Sequence, residues 1–231
     1  MTRASIMAAL YGAAIVAGAG FMLPVLEGWN GPWVIAWKGA GVALLALWAL
    51  LYAPGRDGKI IAAVLALGAL GDVLIETVGL QAGAIAFAAG HVIAIALYLR
   101  YRRDALEPSQ RALGIILIPA AIIIALSTQG PMGAVLERLG SGQGADIQGL
   151  LIYTALVSAM AASAWSSRFS RYRVGVGAML FLLSDLLIFA VQGRLAGEQW
   201  PHMLIWPLYF AGQALIATGV VTTLRREAGL L

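Results

Sequence analysis

Five ionisable side chains sit where ionisable side chains are costly. Lys38, Asp72, Glu76, His91 and Asp185 lie within or at the edge of long apolar runs, and Tyr209 and Gln213 add uncharged hydrogen-bonding groups in another. A charge in lipid hydrocarbon is expensive unless paired or hydrated, so each such residue marks a candidate functional site. The residue types define the chemistry open to them. Two carboxyl groups in unlike surroundings can divide the roles of acid and base. A His can relay protons or orient a water, and a Lys can tune a carboxylate or meet a phosphate. Gln and Tyr can hold a hydroxyl or a water by hydrogen bonds. The set suits acid–base hydrolysis inside a membrane, or a proton relay across one.

The elements that must position these groups follow from composition. Of 231 residues, 61% are hydrophobic and 11% charged, against about 25% charged in an ordinary soluble domain. A soluble domain of this length cannot hide so much apolar surface, and intrinsic disorder needs the opposite composition. Apolar runs fall at about Ser5–Val25, Trp33–Tyr52, Ile60–Glu76, Ala82–Leu99, Ala112–Ser127, Ile147–Ser166, Val174–Val191 and Met203–Val220. All are too long for membrane β-strands and lack the two-residue alternation, so the spacing predicts eight transmembrane helices in one all-α domain over residues 1–231. The first run exceeds a signal-peptide apolar core and reads as a retained helix. The Gly-rich connection Thr128–Asp146 reads as a loose loop rather than a flexible lid. Gly71-Asp72-Val73-Leu74-Ile75 and Ser184-Asp185-Leu186-Leu187-Ile188 echo one another, which suits two parallel four-helix halves.

Basic residues sort between alternating ends. Arg3, Arg56, Lys59, Arg100, Arg102, Arg103, Arg111, Arg168, Arg171, Arg173, Arg225 and Arg226 share one side, while Arg138 and Arg194 take the other. The positive-inside rule then places both termini in the cytoplasm, and in a bacterium places the chain in the cytoplasmic membrane. No basic face is interleaved with aromatics, so nucleic acid is not an expected partner. Cysteine is absent, which excludes disulfides, thiolate ligands and a cysteine nucleophile.

This orientation sets the depth of each group. Asp72 lies 13 residues beyond Lys59 and Asp185 lies 12 beyond Arg173. At about 1.5 Å per residue the two carboxyl groups sit about 20 Å and 18 Å from the cytoplasmic ends, nearly one level. Lys38 and His91 approach from the opposite side, about 8 Å and 15 Å in. Gln213 falls near the middle of the last span, with Tyr209 one turn away, and Glu76 follows Asp72 by one turn. Each has a plainer reading. Lys38 can snorkel, Glu76 can lie outside the hydrocarbon, and His91 can bond a nearby carbonyl. Gln213 can join helices, and the aspartates can pair with Lys38 for structure alone. Trp33, Trp37, Trp200 and Trp206 read as an outer aromatic belt with no site role.

Five separated signatures resemble the YhhN-type lysoplasmalogenase family. They are Lys38 early in the second span, Leu70-Gly71-Asp72-Val73-Leu74, and Phe87-Ala88-Ala89-Gly90-His91. The other two are Phe181-Leu182-Leu183-Ser184-Asp185-Leu186-Leu187 and Tyr209-Phe210-Ala211-Gly212-Gln213-Ala214-Leu215-Ile216. Together they run over about residues 33–220. The resemblance implies a polytopic membrane hydrolase of the vinyl ether bond of lysoplasmalogens, with Asp72 and Asp185 as the motif aspartates. It implies Lys38, His91 and Gln213 as the matching Lys, His and Gln. Two positions depart from the family pattern. Gly39 stands where Pro is usual, which bears on a helix kink, and Ala94 stands where a Tyr is usual, which bears on a hydroxyl in the pocket and so on the substrate.

Vinyl ether hydrolysis needs a positioned acid, a carboxylate to stabilise an oxocarbenium ion, and a held water, as in glycosidases. The expected assignment is Asp72, Asp185 and His91 as catalytic groups, with Lys38, Glu76, Tyr209 and Gln213 binding a lysophospholipid. The products are a fatty aldehyde and glycerophosphoethanolamine or glycerophosphocholine. No metal and no cofactor enter this scheme. Two alternatives stay open: a proton-coupled transporter or lipid carrier using the same groups as a relay, and a zinc-dependent ceramidase-like amidase. The zinc reading has only His91 and His202 as imidazole ligands, where such sites usually want about three protein ligands plus a water.

Overall fold

In lipid no water is present to hydrogen-bond the backbone, so long apolar runs close their bonds internally as helices. The computed structural model describes residues 2–142 and 144–231; Met1, Gln143 and the side chain of Arg3 lie outside the described residues. Among the described residues ten α-helices follow in chain order. They are α1 (Arg3–Gly20), α2 (Met22–Glu27), α3 (Pro32–Tyr52), α4 (Gly55–Thr77), α5 (Leu80–Arg100), α6 (Pro108–Thr128), α7 (Met132–Gly140), α8 (Ala145–Ser166), α9 (Val176–Val191) and α10 (Trp200–Glu227). A π turn at Arg171–Gly175 leads into α9. Among the described residues eight spans are long and apolar enough to cross a membrane, α1 with α2 forming the first and the π turn with α9 the seventh.

Several expectations need correction. The connection Thr128–Asp146 is not a loose loop, since it folds into α7, whose Val135 is buried while Met132 and Leu136 face outward. Apolar side chains at positions 132, 135, 136 and 139 give it one apolar face, and the surrounding glycines mask that periodicity. The last span runs on to Glu227, about two turns past its apolar run, and the third begins at Gly55 rather than Ile60.

Trp37 and Trp206 are not belt residues either. Their indole Nε1 groups donate to the carbonyls of Ala17 (2.8 Å) and Gly18 (2.7 Å). Those carbonyls lie just before the break between α1 and α2, where Pro24 lacks the N–H that would bond Gly20, and Trp206 is buried against Phe21 and Phe210. Trp33 and Trp200 stay about half exposed, as belt residues would.

Six helices close a ring in the order α3, α4, α5, α8, α9, α10 and back to α3. Helix α1 packs outside on α3, α6 packs outside on α8, and α10 also touches α4 across the ring. The neighbours repeat. The first four spans pair in succession, the last four do the same, and α5 on α8 is matched by α10 on α3. This is the arrangement of two parallel four-helix halves suggested by the Gly71 and Ser184 segments. Small residues set the spacing. A Cβ on Gly177 would lie 2.7 Å from the Gly212 carbonyl oxygen, and the reverse is also 2.7 Å, so α9 and α10 touch backbone to backbone.

The end of the bundle that holds both termini is tied by the basic residues already counted there. Arg100 pairs with Asp57, Arg103 donates to the Ser167 carbonyl (2.9 Å), and Arg225 donates to the Tyr52 carbonyl (3.1 Å) while lying over the Tyr52 ring. Tyr101 donates to Asp57 at 2.8 Å. Burial first, then that bond and charge, raise its phenol from 10.0 to about 12, so it stays a donor at ordinary pH.

Candidate active site

Asp72 occupies a buried position on α4, just after glycines at 68 and 71. It accepts a hydrogen bond from the Tyr209 hydroxyl of α10 (2.8 Å), and the Gln213 amide, one turn along α10, donates to that hydroxyl (3.4 Å). The glycines make the room. A Cβ on Gly68 would lie 2.7 Å from Gln213 Nε2, and one on Gly71 would meet the Phe87 ring at 2.7 Å.

Asp185, buried on α9, has a matching arm. It accepts from the Tyr153 hydroxyl of α8 (2.8 Å), and His91 of α5 places its Nε2 3.4 Å from the same hydroxyl. Beside Asp185, Ser184 donates to the Ile205 carbonyl of α10 (2.9 Å), which holds α9 at this level. The rings of Phe87, Phe181 and Tyr209 meet edge to face at 5.2–5.8 Å, and His91 stands edge-on to Phe181 at 5.0 Å. The two arms thus flank a shared aromatic centre.

Lys38 does not hydrogen-bond either aspartate. It pairs with Glu76 at 2.5 Å, at the wall of a chamber of about 370 Å³ near the bundle end opposite the termini. Trp29, Asn30, Phe21, Val25 and Ile35 also line this chamber. Lys38 is 18% and Glu76 43% exposed, so the pair faces the chamber rather than the packed interior. A second cavity of about 20 Å³ lies deeper, walled in part by His91, Ala94, Tyr98 and Gln213.

Of the residues singled out from the sequence, Asp72, Tyr209 and Gln213 come together directly, as do Asp185 and His91 through Tyr153. Lys38 and Glu76 form a separate pair. Tyr153 was missed. Its signal was a hydroxyl seven residues inside an apolar run, on the helix expected to neighbour that of Asp185. Gly39, at the position of a usual Pro, lies under Val73 of α4, where a Cβ would approach to 2.9 Å, and α3 continues through it as regular helix. Among the described residues no three His, Cys, Asp or Glu side chains gather to hold a metal ion, so the zinc-amidase arrangement has no ligand set there.

The fold and site define a polytopic α-helical membrane protein with two buried tyrosine–aspartate arms beneath a polar-mouthed chamber. The chain belongs to the YhhN family, whose model matches residues 33–220 and so takes in both aspartates and both chamber-lining charges. No curated protein and no solved structure matches it.

Proposed function

We propose that the protein is a lysoplasmalogenase, hydrolysing the vinyl ether of a lysoplasmalogen to a fatty aldehyde and a glycerophospho-alcohol. The observation that carries this reading is the pair of buried aspartates, each fixed by a tyrosine hydroxyl and flanking one aromatic centre. One carboxylic acid gives its proton to the β-carbon of the vinyl ether, and the C=C electron pair forms the new C–H bond. The resulting oxocarbenium ion is stabilised by the second carboxylate, as in glycoside hydrolysis. Water adds to the cationic carbon as its proton passes to a carboxylate. The hemiacetal then collapses: a carboxyl group gives its proton to the glycerol oxygen as that C–O bond breaks, takes the hydroxyl proton in its place as the C=O forms, and the aldehyde leaves. One water is consumed and both carboxyl groups return to their starting states.

The chamber suits the head of such a lipid. Lys38 offers a cation for phosphate, Glu76 an anion for an amine, and Asn30 hydrogen bonds to glycerol, while Phe21, Val25 and Ile35 accept the start of the chain. The YhhN family assignment supports the reading. The orientation follows the basic residues, with both termini in the cytoplasm and the chamber facing the other side of the membrane, which in a bacterium is the cytoplasmic membrane.

The test is aldehyde release from a lysoplasmalogen by protein purified in detergent, beside Asp72→Asn and Asp185→Asn. Wild type is expected to release aldehyde and each variant to lose about 10²–10⁴-fold, the usual share of a positioned acid or base. A folded wild type that releases none, or an Asn variant at the wild-type rate, overturns it.

A further inference from the structure

The small interior cavity is lined by Gln213 of one arm and His91 of the other. Its volume of about 20 Å³ exceeds the roughly 10–15 Å³ that a single water requires. Apolar cavities of that size stay dry, and a buried water needs two to four polar partners. The walls supply three, His91, Tyr98 and Gln213, against apolar Val64, Met160 and Ile216.

Tyr98 is the telling member. It is 1% exposed, and its hydroxyl has no hydrogen-bond partner among the described residues. A phenol left unpaired in an apolar interior is destabilising, so a buried hydroxyl of this kind calls for a partner. The ring lines a cavity of one-water size, while the only other polar walls are side chains with hydrogen-bonding capacity left over. Gln213 uses one N–H on Tyr209, and His91 uses Nε2 toward Tyr153. An amide and an imidazole each have further donor or acceptor atoms.

We propose that this cavity binds one water, held by the Tyr98 hydroxyl, His91 and Gln213. That water joins two otherwise separate chains, Gln213–Tyr209–Asp72 and His91–Tyr153–Asp185, into one hydrogen-bonded network. The bound water stands on geometry alone. Its use in proton exchange between the carboxyl groups rests on the hydrolase reading.

The experiment compares wild type and Tyr98→Phe without substrate. Infrared difference spectra between H₂¹⁶O and H₂¹⁸O are expected to show an isotope-shifted band of an isolated buried water in wild type and its loss in the variant. Thermal unfolding gives an independent sign. If the hydroxyl holds a water, Tyr98→Phe lowers Tm by about 2–4 °C; if the cavity is dry, deleting an unpaired hydroxyl leaves Tm unchanged or raises it. No band in wild type, a band that survives in Tyr98→Phe, or a Tm that does not fall each overturns the proposal. Aldehyde release by Tyr98→Phe is expected to fall about tenfold, the worth of one such hydrogen bond. Should wild type release no aldehyde, the hydrolase reading fails while the infrared and thermal results still decide the water site.

Discussion

The Tyr209 hydroxyl on the last helix donates a 2.8 Å hydrogen bond to Asp72 on the fourth, joining residues 137 positions apart. The matching bond from Tyr153 to Asp185 is also 2.8 Å. Each carboxyl group is thereby held at a fixed angle in a buried site beside a cluster of aromatic rings.

Tyr209→Phe and Tyr153→Phe each remove one hydroxyl and no bulk. A hydrogen bond to a charged group contributes about 1.5–3 kcal/mol, so aldehyde turnover is expected to drop about 10–100-fold in either variant. Circular dichroism should remain that of wild type. If both variants turn over at the wild-type rate, the tyrosines do not orient the reacting carboxyl groups.

Two glycine substitutions are expected to part company. The methyl of Gly68→Ala meets the flexible end of Gln213 (2.7 Å) and the Tyr209 hydroxyl (3.3 Å). Activity should therefore fall while Tm stays close to wild type. The methyl of Gly212→Ala meets the rigid Gly177 carbonyl (2.7 Å) and must push α9 from α10. A loss of roughly 1–3 kcal/mol is expected, a Tm drop on the order of 5 °C. Thermal unfolding and turnover measured on both proteins would expose the contrary pattern.

The Lys38–Glu76 pair faces a wet chamber, and exposed pairs of this kind contribute about 0.2–1 kcal/mol to stability. Lys38→Met is therefore expected to leave Tm nearly unchanged while raising KM about tenfold, as loss of a phosphate contact would. Steady-state kinetics in mixed micelles separates KM from kcat; a fall in kcat at constant KM would move Lys38 from binding to the chemical step.

Because the chain has no cysteine, single cysteines report its orientation without background. Ser141→Cys lies beside α7 at the chamber end, and Leu230→Cys lies past α10 at the terminal end. In intact cells a membrane-impermeant maleimide should label the first and reach the second only after permeabilisation. The reverse pattern would invert the assignment drawn from the basic residues.

The spans were legible because lipid imposes a demand that composition cannot conceal, and the ionisable residues inside them stood out because they defy that demand. Tyr153 did not stand out, since a phenol sits in an apolar run at little cost and its value depends on which helix it faces. Tyr98 was hidden for the same reason. Trp206 was misread because an indole near a helix end looks alike whether it meets headgroups or, as here, the backbone carbonyl of a packed helix. Lys38 was visible, but its partner was not: Asp72 and Glu76 stand one turn apart on the same helix, and only the register of α3 along α4 brings Lys38 to Glu76.

The closed ring also has a history in time. Asp72 is translated well before Tyr209, and at 5–20 residues per second the 137-residue interval lasts roughly 7–30 s. Throughout that interval the ring is open on the side that α10 will fill, and Asp72 stands in the nascent bundle without its phenol. The last helix to be made completes a site begun in the third span, so a ribosome that stalls before α10 leaves behind a membrane protein with nearly all its spans and no finished site.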